Sequence, residues 1–338
     1  MATGLNVPRG LVYDPESQRL LIAEAGVAAG DTGPCATGAG DIAVCYGGTG
    51  SVYSFALNGG RSYRVITGLP STSDTGQHFV KGLEDLSLFR GKLSGVFGLS
   101  GTPATRTGLG PGAAALGQAV VFGRFGSIIP IADVATKETQ LYNADMVSDP
   151  YGIATGKFGT LIANPSGAPV PDSDYGGNDV LQLKNGNLTQ LVAFPARAPA
   201  ADPSGQIESQ PTTVTQGPGG AFYVGELTSY PYYPGEARVW RVVPGQAPTV
   251  FASGFSKIID IAFDSRGRLL VLESGGRLSP AQLIRVDRDG TQTVLASTGL
   301  TDPGGLAVVN DHTFYVTNNS GGTGGDGQLL KISVSAAG

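Results

Sequence analysis

The stretch Tyr223–Val242 reads YVGELTSYPYYPGEARVWRV. A short run of alternating residues ends on Glu226. An aromatic, proline-rich loop follows, and a second alternating run begins at Ala237. Alternation with a period of two is the mark of a β-strand. The acid at the end of the first strand recurs along the chain. LLIAE ends on Glu24, TLIAN on Asn164, FYVGE on Glu226, LVLE on Glu273 and FYVTN on Asn318. Each lies 14 to 16 residues after the start of a preceding strand, at Pro8, Pro150, Pro211, Ile258 and Pro303. A weaker copy runs from Glu84 to Leu99.

Each copy continues into two more strands, as in NDVLQLKNGNLTQLVAF and AQLIRVDRDGTQTVLASTGL. The last copy stops one strand short, after GQLLKISVSA. The residues ATGL near the N-terminus have the character of that missing strand. This pattern predicts an all-β fold: a six-bladed β-propeller with four-stranded blades, formed as a single domain over residues 1–338. The N-terminal strand then completes the last blade. A pair of β-sandwiches or a β-helix is the alternative, and the split final copy argues against both. Helical periodicity is nearly absent. The 53 Gly and 22 Pro punctuate many short elements.

Hydrophobic residues make up 41% of the chain and charged residues 14%, enough to bury a large core. The net charge of −5 comes without a basic block, which argues against nucleic acid as a partner. No apolar run reaches the roughly 18–20 residues of a membrane span. Cys35 and Cys45 flank a loop of small residues and are expected to form a disulfide in an oxidising compartment, with two free thiols as the alternative. The start, MATGLNVPRG, has no charged segment leading into an apolar one. The expectation is a secreted or periplasmic protein whose signal peptide is not part of this sequence.

In such a ring the loops at one end of the blades converge. Glu24, Asn164, Glu226, Glu273 and Asn318 are therefore expected to surround one channel mouth. Arg9, Asp85, Tyr151, Thr212 and Asp260, beside the first-strand starts, should point to the same mouth. Tyr230, Tyr232 and Tyr233 could wall a pocket there or simply cover a blade edge. Three uses of the carboxylates and amides stay open. They could bind a hard divalent cation such as calcium, with Glu24, Glu226 and Glu273 as ligands. They could perform acid–base chemistry, or satisfy buried backbone groups.

Other motifs carry less. GTGGDG, Gly322–Gly327, matches a dinucleotide fingerprint, but a strand-like QLLKIS follows where a helix is required. No G-x-S-x-G elbow exists, and His78 and His312 leave few options for a triad. No His/Cys cluster suits zinc. DSDYGGND, Asp172–Asp179, is acidic but lacks the full calcium-loop pattern. Asn187 and Asn318 begin sequon matches.

Several segments together resemble the ScyD/ScyE family of secreted propellers related to NHL-repeat proteins. They are GLNVPRGLVYDPESQRLLIAEAG, CYGGTGSVY, IADVATKE, SDPYGI, GGNDVLQL, YVGELTSYPYYPGEARVWRV and GFSKIIDIAFDSRGRLLVLE. The resemblance spans nearly the whole chain. It implies a secreted six-bladed propeller and leaves the activity undefined. The run LIANPSGAPVPDSDYGGND is longer than its family counterpart. Two functions follow as expectations. One is a binding module that takes a small, aromatic or other molecule, or a protein, at the channel mouth. The other is a metal-assisted hydrolase, lactonase-like or strictosidine-synthase-like, that uses the mouth carboxylates.

Overall fold

The computed structural model describes residues 1–28, 33–165, 177–200, 202–275 and 279–335. The calcium-loop-like motif lies largely outside them; only its last three residues, Gly177 to Asp179, are described. Among the described residues the chain forms seven four-stranded antiparallel sheets. The fold is an all-β propeller.

Six sheets share one plan. The first comprises Pro8–Asp14, Arg19–Glu24, Gly50–Ala56 and Tyr63–Leu69. The second comprises Leu83–Phe89, Lys92–Phe97, Gln118–Phe122 and Ile128–Asp133. The third comprises Gly152–Gly156, Gly159–Asn164, Asp179–Lys184 and Asn187–Ala193. The fourth comprises Ser209–Gln216, Phe222–Thr228, Ala237–Val242 and Thr249–Phe255. The fifth comprises Ile258–Phe263, Leu269–Glu273, Gln282–Val286 and Gln292–Ala296. The sixth takes Gly305–Asn310, Thr313–Asn318 and Gly327–Ser333 from the C-terminal end. Its fourth strand is Thr3–Leu5, paired antiparallel with Gly327–Ser333. The segment ATGL therefore occupies the place that the repeat leaves open.

First strands of consecutive sheets lie side by side, and the first strand of the sixth sheet lies against that of the first. The seventh sheet is smaller: Cys35–Thr37, Ala43–Tyr46, Thr72–Asp74 and Val80–Lys81. It grows from two connections of the first sheet. Cys35 and Cys45 form a disulfide between directly paired residues of its first two strands.

Alternation explains the packing. Each sheet is sandwiched between two others, so both faces of a central strand must be apolar. In LLIAE, Leu20 and Ile22 pack with Ala307, Tyr315 and Leu329 of the sixth sheet. Ala23 faces the other way, among Leu86, Phe97 and Val120 of the second. In FYVGE, Phe222 and Val224 meet Leu161 and Ala163 of the third sheet, together with Trp240. Tyr223 packs instead with Ile258 and Ile261 of the fifth. Leu5 of the closing strand is fully buried among the residues that join the sixth and first sheets.

Four first strands carry a bulge near their start, at Pro8/Leu11, Leu83/Asp85, Pro211/Thr213 and Ile258/Asp260. A bulge inserts one residue and re-aims the side chains beside it. Here it stands where the first strands approach one another most closely. A Cβ on Gly10 would lie 1.9 Å from Oδ1 of Asp85, and one on Gly305 would lie 2.7 Å from the Gly10 Cα. Gly10→Ala is therefore expected to lower stability by about 1–3 kcal/mol, the usual cost of overpacking. Urea unfolding measures it, and an unchanged midpoint would contradict the close approach.

Candidate functional site

The recurrent strand-end residues act within their own sheets. Glu24 accepts the Asn6 N–H at 2.7 Å and both Nε and Nη2 of Arg64 at 2.7 Å, with the Ser51 hydroxyl alongside. Asn164 accepts the Ser148 hydroxyl at 3.0 Å and the Asp149 N–H at 3.1 Å. Glu273 accepts the Ser256 N–H at 2.5 Å and Gln282 Nε2 at 2.6 Å. Asn318 accepts the Thr301 N–H at 2.7 Å and donates to Gly299 O at 3.2 Å. Glu226 takes Trp240 Nε1 at 2.7 Å and is also bonded by Arg197 and the Ser209 hydroxyl. All five side chains are buried. Burial pushes the Glu226 carboxyl upward against the opposing pull of Arg197.

This placement has a simple cause. The chain enters each first strand from a loop, with N–H groups beyond the reach of the ladder, and buried donors need partners. The side chain ending the neighbouring second strand accepts one of them at Glu24, Asn164, Glu273 and Asn318, while Glu226 takes side-chain donors instead. Glu24, Glu226 and Glu273 do not converge. Among the described residues, no three His, Cys, Asp or Glu side chains come together in a way that could hold a metal ion. The partners Arg64 and Arg197 carry no motif and stand 40 and 29 residues from their glutamates.

Arg9 and Tyr151 do come together, in a buried charged cluster at the start of the first strands. Arg9 Nε lies 3.1 Å from Glu84. Its Nη2 donates to Val80 O at 3.0 Å and its Nη1 to the Tyr151 hydroxyl at 3.4 Å. Lys81 Nζ lies 2.5 Å from Asp149. Asp149 also accepts the N–H groups of Leu99 and Ser100. Burial opposes the Lys81 charge, but Asp149 and Glu84 outweigh it and hold its pKa above the ordinary lysine value. Glu84, Lys81 and Asp149 were not legible as members of this group. The only sequence signal was that Glu84 adjoins Asp85.

Asp85 and Asp260 also share a site. Both line a cavity of about 540 Å³ between the first strands. It is bounded by Asp85, Asp260 and Thr213 at its closed end, and by Arg90, Lys157 and Gln216 where the first strands finish. The cavity thus lies toward the opposite end of the channel from the Arg9 cluster. Beyond the carboxylates only a void of about 10 Å³ remains, bordered by Glu84, Tyr151 and Thr212. Asp85 accepts the Ile153 N–H at 2.9 Å and the Leu86 N–H at 2.7 Å. Asp260 accepts the Thr213 hydroxyl and the Ile261 and Leu306 N–H groups, each at 2.8 Å. Each aspartate therefore bridges its own first strand to a neighbouring one. Burial raises both: Asp260 to about 6, and Asp85 well above the usual range with help from the Asp260 charge.

The aromatic loop stands apart from this cavity. Tyr230 is exposed and meets Tyr232 edge-on at 6.0 Å. Lys257 Nζ sits 4.7 Å from the Tyr232 ring centre. Tyr233 donates its hydroxyl to Asp202 at 3.3 Å.

Glu226→Ala is expected to cost about 3–5 kcal/mol, because it leaves Arg197 buried without its carboxylate. Urea unfolding reads the effect; a loss of about 1 kcal/mol or less would mark a solvated pair. No protein-family model and no curated protein matches the sequence. Solved structures share its fold at low identity. A gluconolactonase from Xanthomonas campestris matches with a TM-score of 0.58 at 11% identity, over 98% of this chain and 88% of its own. A glucose dehydrogenase gives 0.56 at 15%, over 99% and 98%. A protein of unknown function from Dyadobacter fermentans gives 0.51 at 12%, over 98% and 95%. The chain shares the β-propeller architecture of these proteins.

Proposed function

We propose that this chain is a lactonase-like hydrolase of small polar molecules, built on a six-bladed ring. The observation that carries this is the pairing of Asp85 and Asp260 at the closed end of the 540 Å³ cavity. Two buried carboxyls with separated proton affinities are the usual equipment for acid–base work. Asp260, pushed up to about 6, is ionised at neutral pH and suited to take a proton from an attacking water. Asp85, raised further, keeps its proton for the leaving oxygen. Arg90 and Lys157 at the open end favour a substrate with anionic or hydroxyl-rich character. The fold shared with a gluconolactonase is compatible with this chemistry.

The cycle of six neighbouring first strands supports the six-blade count, with the disulfide-bearing sheet as an insertion in the first blade. The disulfide supports a secreted or periplasmic location. The resemblance to ScyD/ScyE propellers is consistent with both. A divalent ion does not fit the residues at the blocked end of the channel. At the blocked end, Arg9 and Lys81 already balance Glu84 and Asp149. No step above passes through a metal.

A second reading, a small-molecule binding protein, is favoured by one observation. Both oxygens of each aspartate already accept a bond from a first strand. The pair would then hold the ring together while the cavity takes a ligand. A panel of small lactones, beginning with glucono-δ-lactone, separates the two. Hydrolysis is expected above the buffer rate, with an acidic limb near pH 6. Asp260→Asn should lower it by about 10²–10⁴-fold while the fold persists. No turnover of any lactone, with a ligand-induced rise in Tm, would replace the hydrolase by the binding protein.

A further inference from the structure

At the end where the cavity opens, four turns of the second and third sheets, residues 89–92, 122–128, 156–159 and 184–187, carry five cations and no acid. Arg90 and Lys92 belong to the turn between the first two strands of the second sheet, and Arg124 to the turn between its last two. Lys157 and Lys184 hold the same places in the third sheet. Arg61 precedes Tyr63–Leu69 of the first sheet, against which the Arg124 turn lies. In an antiparallel sheet all these turns leave by one end, here the end at which the first strands finish. All six side chains are exposed. None makes an ion pair among the described residues. The fifth sheet differs: there Asp264 pairs with Arg268 and Asp287 with Arg285. The chain as a whole carries −5, so this basic side is not a sample of its composition. No run of the sequence shows it, because its members are scattered from Arg61 to Lys184 and only the ring gathers them.

One of these turns also presents the most exposed large apolar side chain among the described residues. Phe125 is 105% exposed. Its backbone is left-handed, at φ 59° and ψ 23°, a conformation that a bulky residue rarely takes. The turn is held close to the first sheet: a Cβ on Gly126 would lie 2.9 Å from Ile66 Cγ2. Ile129, also exposed, folds its tip back toward the turn, where a Cβ on Gly123 would lie 3.0 Å from Ile129 Cδ1. Tyr63 and Val65 stand exposed on the strand that the turn touches. Exposed apolar groups gathered beside unpaired charge mark an interaction surface.

We propose that this rim of the ring, with Arg61, Arg124 and Phe125 at its centre, is a docking surface for an anionic phospholipid bilayer. The charge complements the headgroups, whose surface potential attracts clustered Lys and Arg. The apolar residues decide among polyanions. A sulfated polysaccharide or a nucleic acid satisfies the cations but leaves Val65 and Ile129 in water. A bilayer interface takes both, since apolar side chains enter the boundary between headgroups and acyl chains while the charges stay at its surface. The chain then lies on the membrane; no helix among the described residues is long and apolar enough to cross it. The fifth sheet, with its acids, stands across the ring from the second, so docking uses one rim rather than the whole face. The surface does not depend on the hydrolase reading.

The test is co-sedimentation of the full chain with vesicles of phosphatidylglycerol and phosphatidylcholine in equal parts, and with vesicles of phosphatidylcholine alone. Binding is expected to the first and not to the second, and weaker in about 0.5 M than in about 0.1 M sodium chloride. Phe125→Asn should lower the partition coefficient about 10-fold, and Arg124→Gln about 5-fold. Lys331→Gln, exposed on the sixth sheet, should leave it unchanged. Asparagine suits the left-handed backbone at this position, so the Tm of Phe125→Asn should be no lower than that of wild type. A lower Tm would show that the ring supports the fold, and overturns the proposal. Absence of vesicle binding overturns it, as does equal binding to both lipid compositions. Retention on heparin without vesicle binding also overturns it, and puts a polyanionic polymer in place of the bilayer.

Discussion

Every first strand enters its sheet from a loop, and the N–H groups it brings need acceptors. In four of the six sheets the last side chain of the second strand supplies one. Glu24, Asn164, Glu273 and Asn318 each accept a backbone N–H from the segment leading into the first strand of their own sheet. Bonds of this kind to a charged acceptor contribute about 1.5–3 kcal/mol. They also fix where each first strand begins, and hence which residues face the channel. Two sheets depart from this: in the fourth, Glu226 accepts only the side chains of Arg197, Ser209 and Trp240, and the second has no such acceptor. Its second strand ends on Phe97, which can accept nothing through its side chain. There Glu84 accepts the Gly82 N–H that leads into the first strand, and Asp149, from the entry to the third sheet, accepts the Leu99 and Ser100 N–H groups beyond the second strand. Its remaining charge holds Lys81, beside Arg9 and Glu84. The cluster that blocks one end of the channel thus gathers at the sheet whose second strand ends without a polar side chain.

Strand order was legible because both signals that encode it are local. Alternation marks the strands, and the polar residue that recurs at Glu24, Asn164, Glu226, Glu273 and Asn318 marks their ends. The missing fourth strand was legible as well, since ATGL matches the strand that the last copy lacks. The destination of the polar side chains was not. Periodicity says at which end of a strand a residue lies, not whether it turns to its own sheet or to a shared rim. The deciding partners, Arg64 and Arg197, belong to other strands and loops with no fixed spacing. The channel floor was half legible: Asp85 and Asp260 were among five residues expected at the mouth by the first-strand starts, whereas the cavity they line runs toward the other end. The bulges that turn them inward have no sequence signature, nor does the position of the cavity near the far ends of the first strands.

Two carboxylate pairs show how burial alone leaves chemistry undetermined. Asp85 and Asp260 sit among N–H groups of neighbouring strands, and the channel beside them is open to a small molecule. Glu138 and Asp179 sit where such donors are scarce: Gln190 reaches one oxygen and three remain bare. The first pair is supported by its surroundings and can afford to exchange protons with a visitor. The second lacks that support, and burial pushes both of its carboxyls up.

The strand Thr3–Leu5 finds its partner only in Gly327–Ser333. During synthesis the ribosome delivers the first of these long before the second, by about 20–60 s at ordinary elongation rates. Throughout that interval Leu5 has no sheet to enter, and the outer edge of the sixth sheet does not yet exist. Closure of the ring therefore waits on the synthesis of Gly327–Ser333, the partner that the N-terminal strand needs.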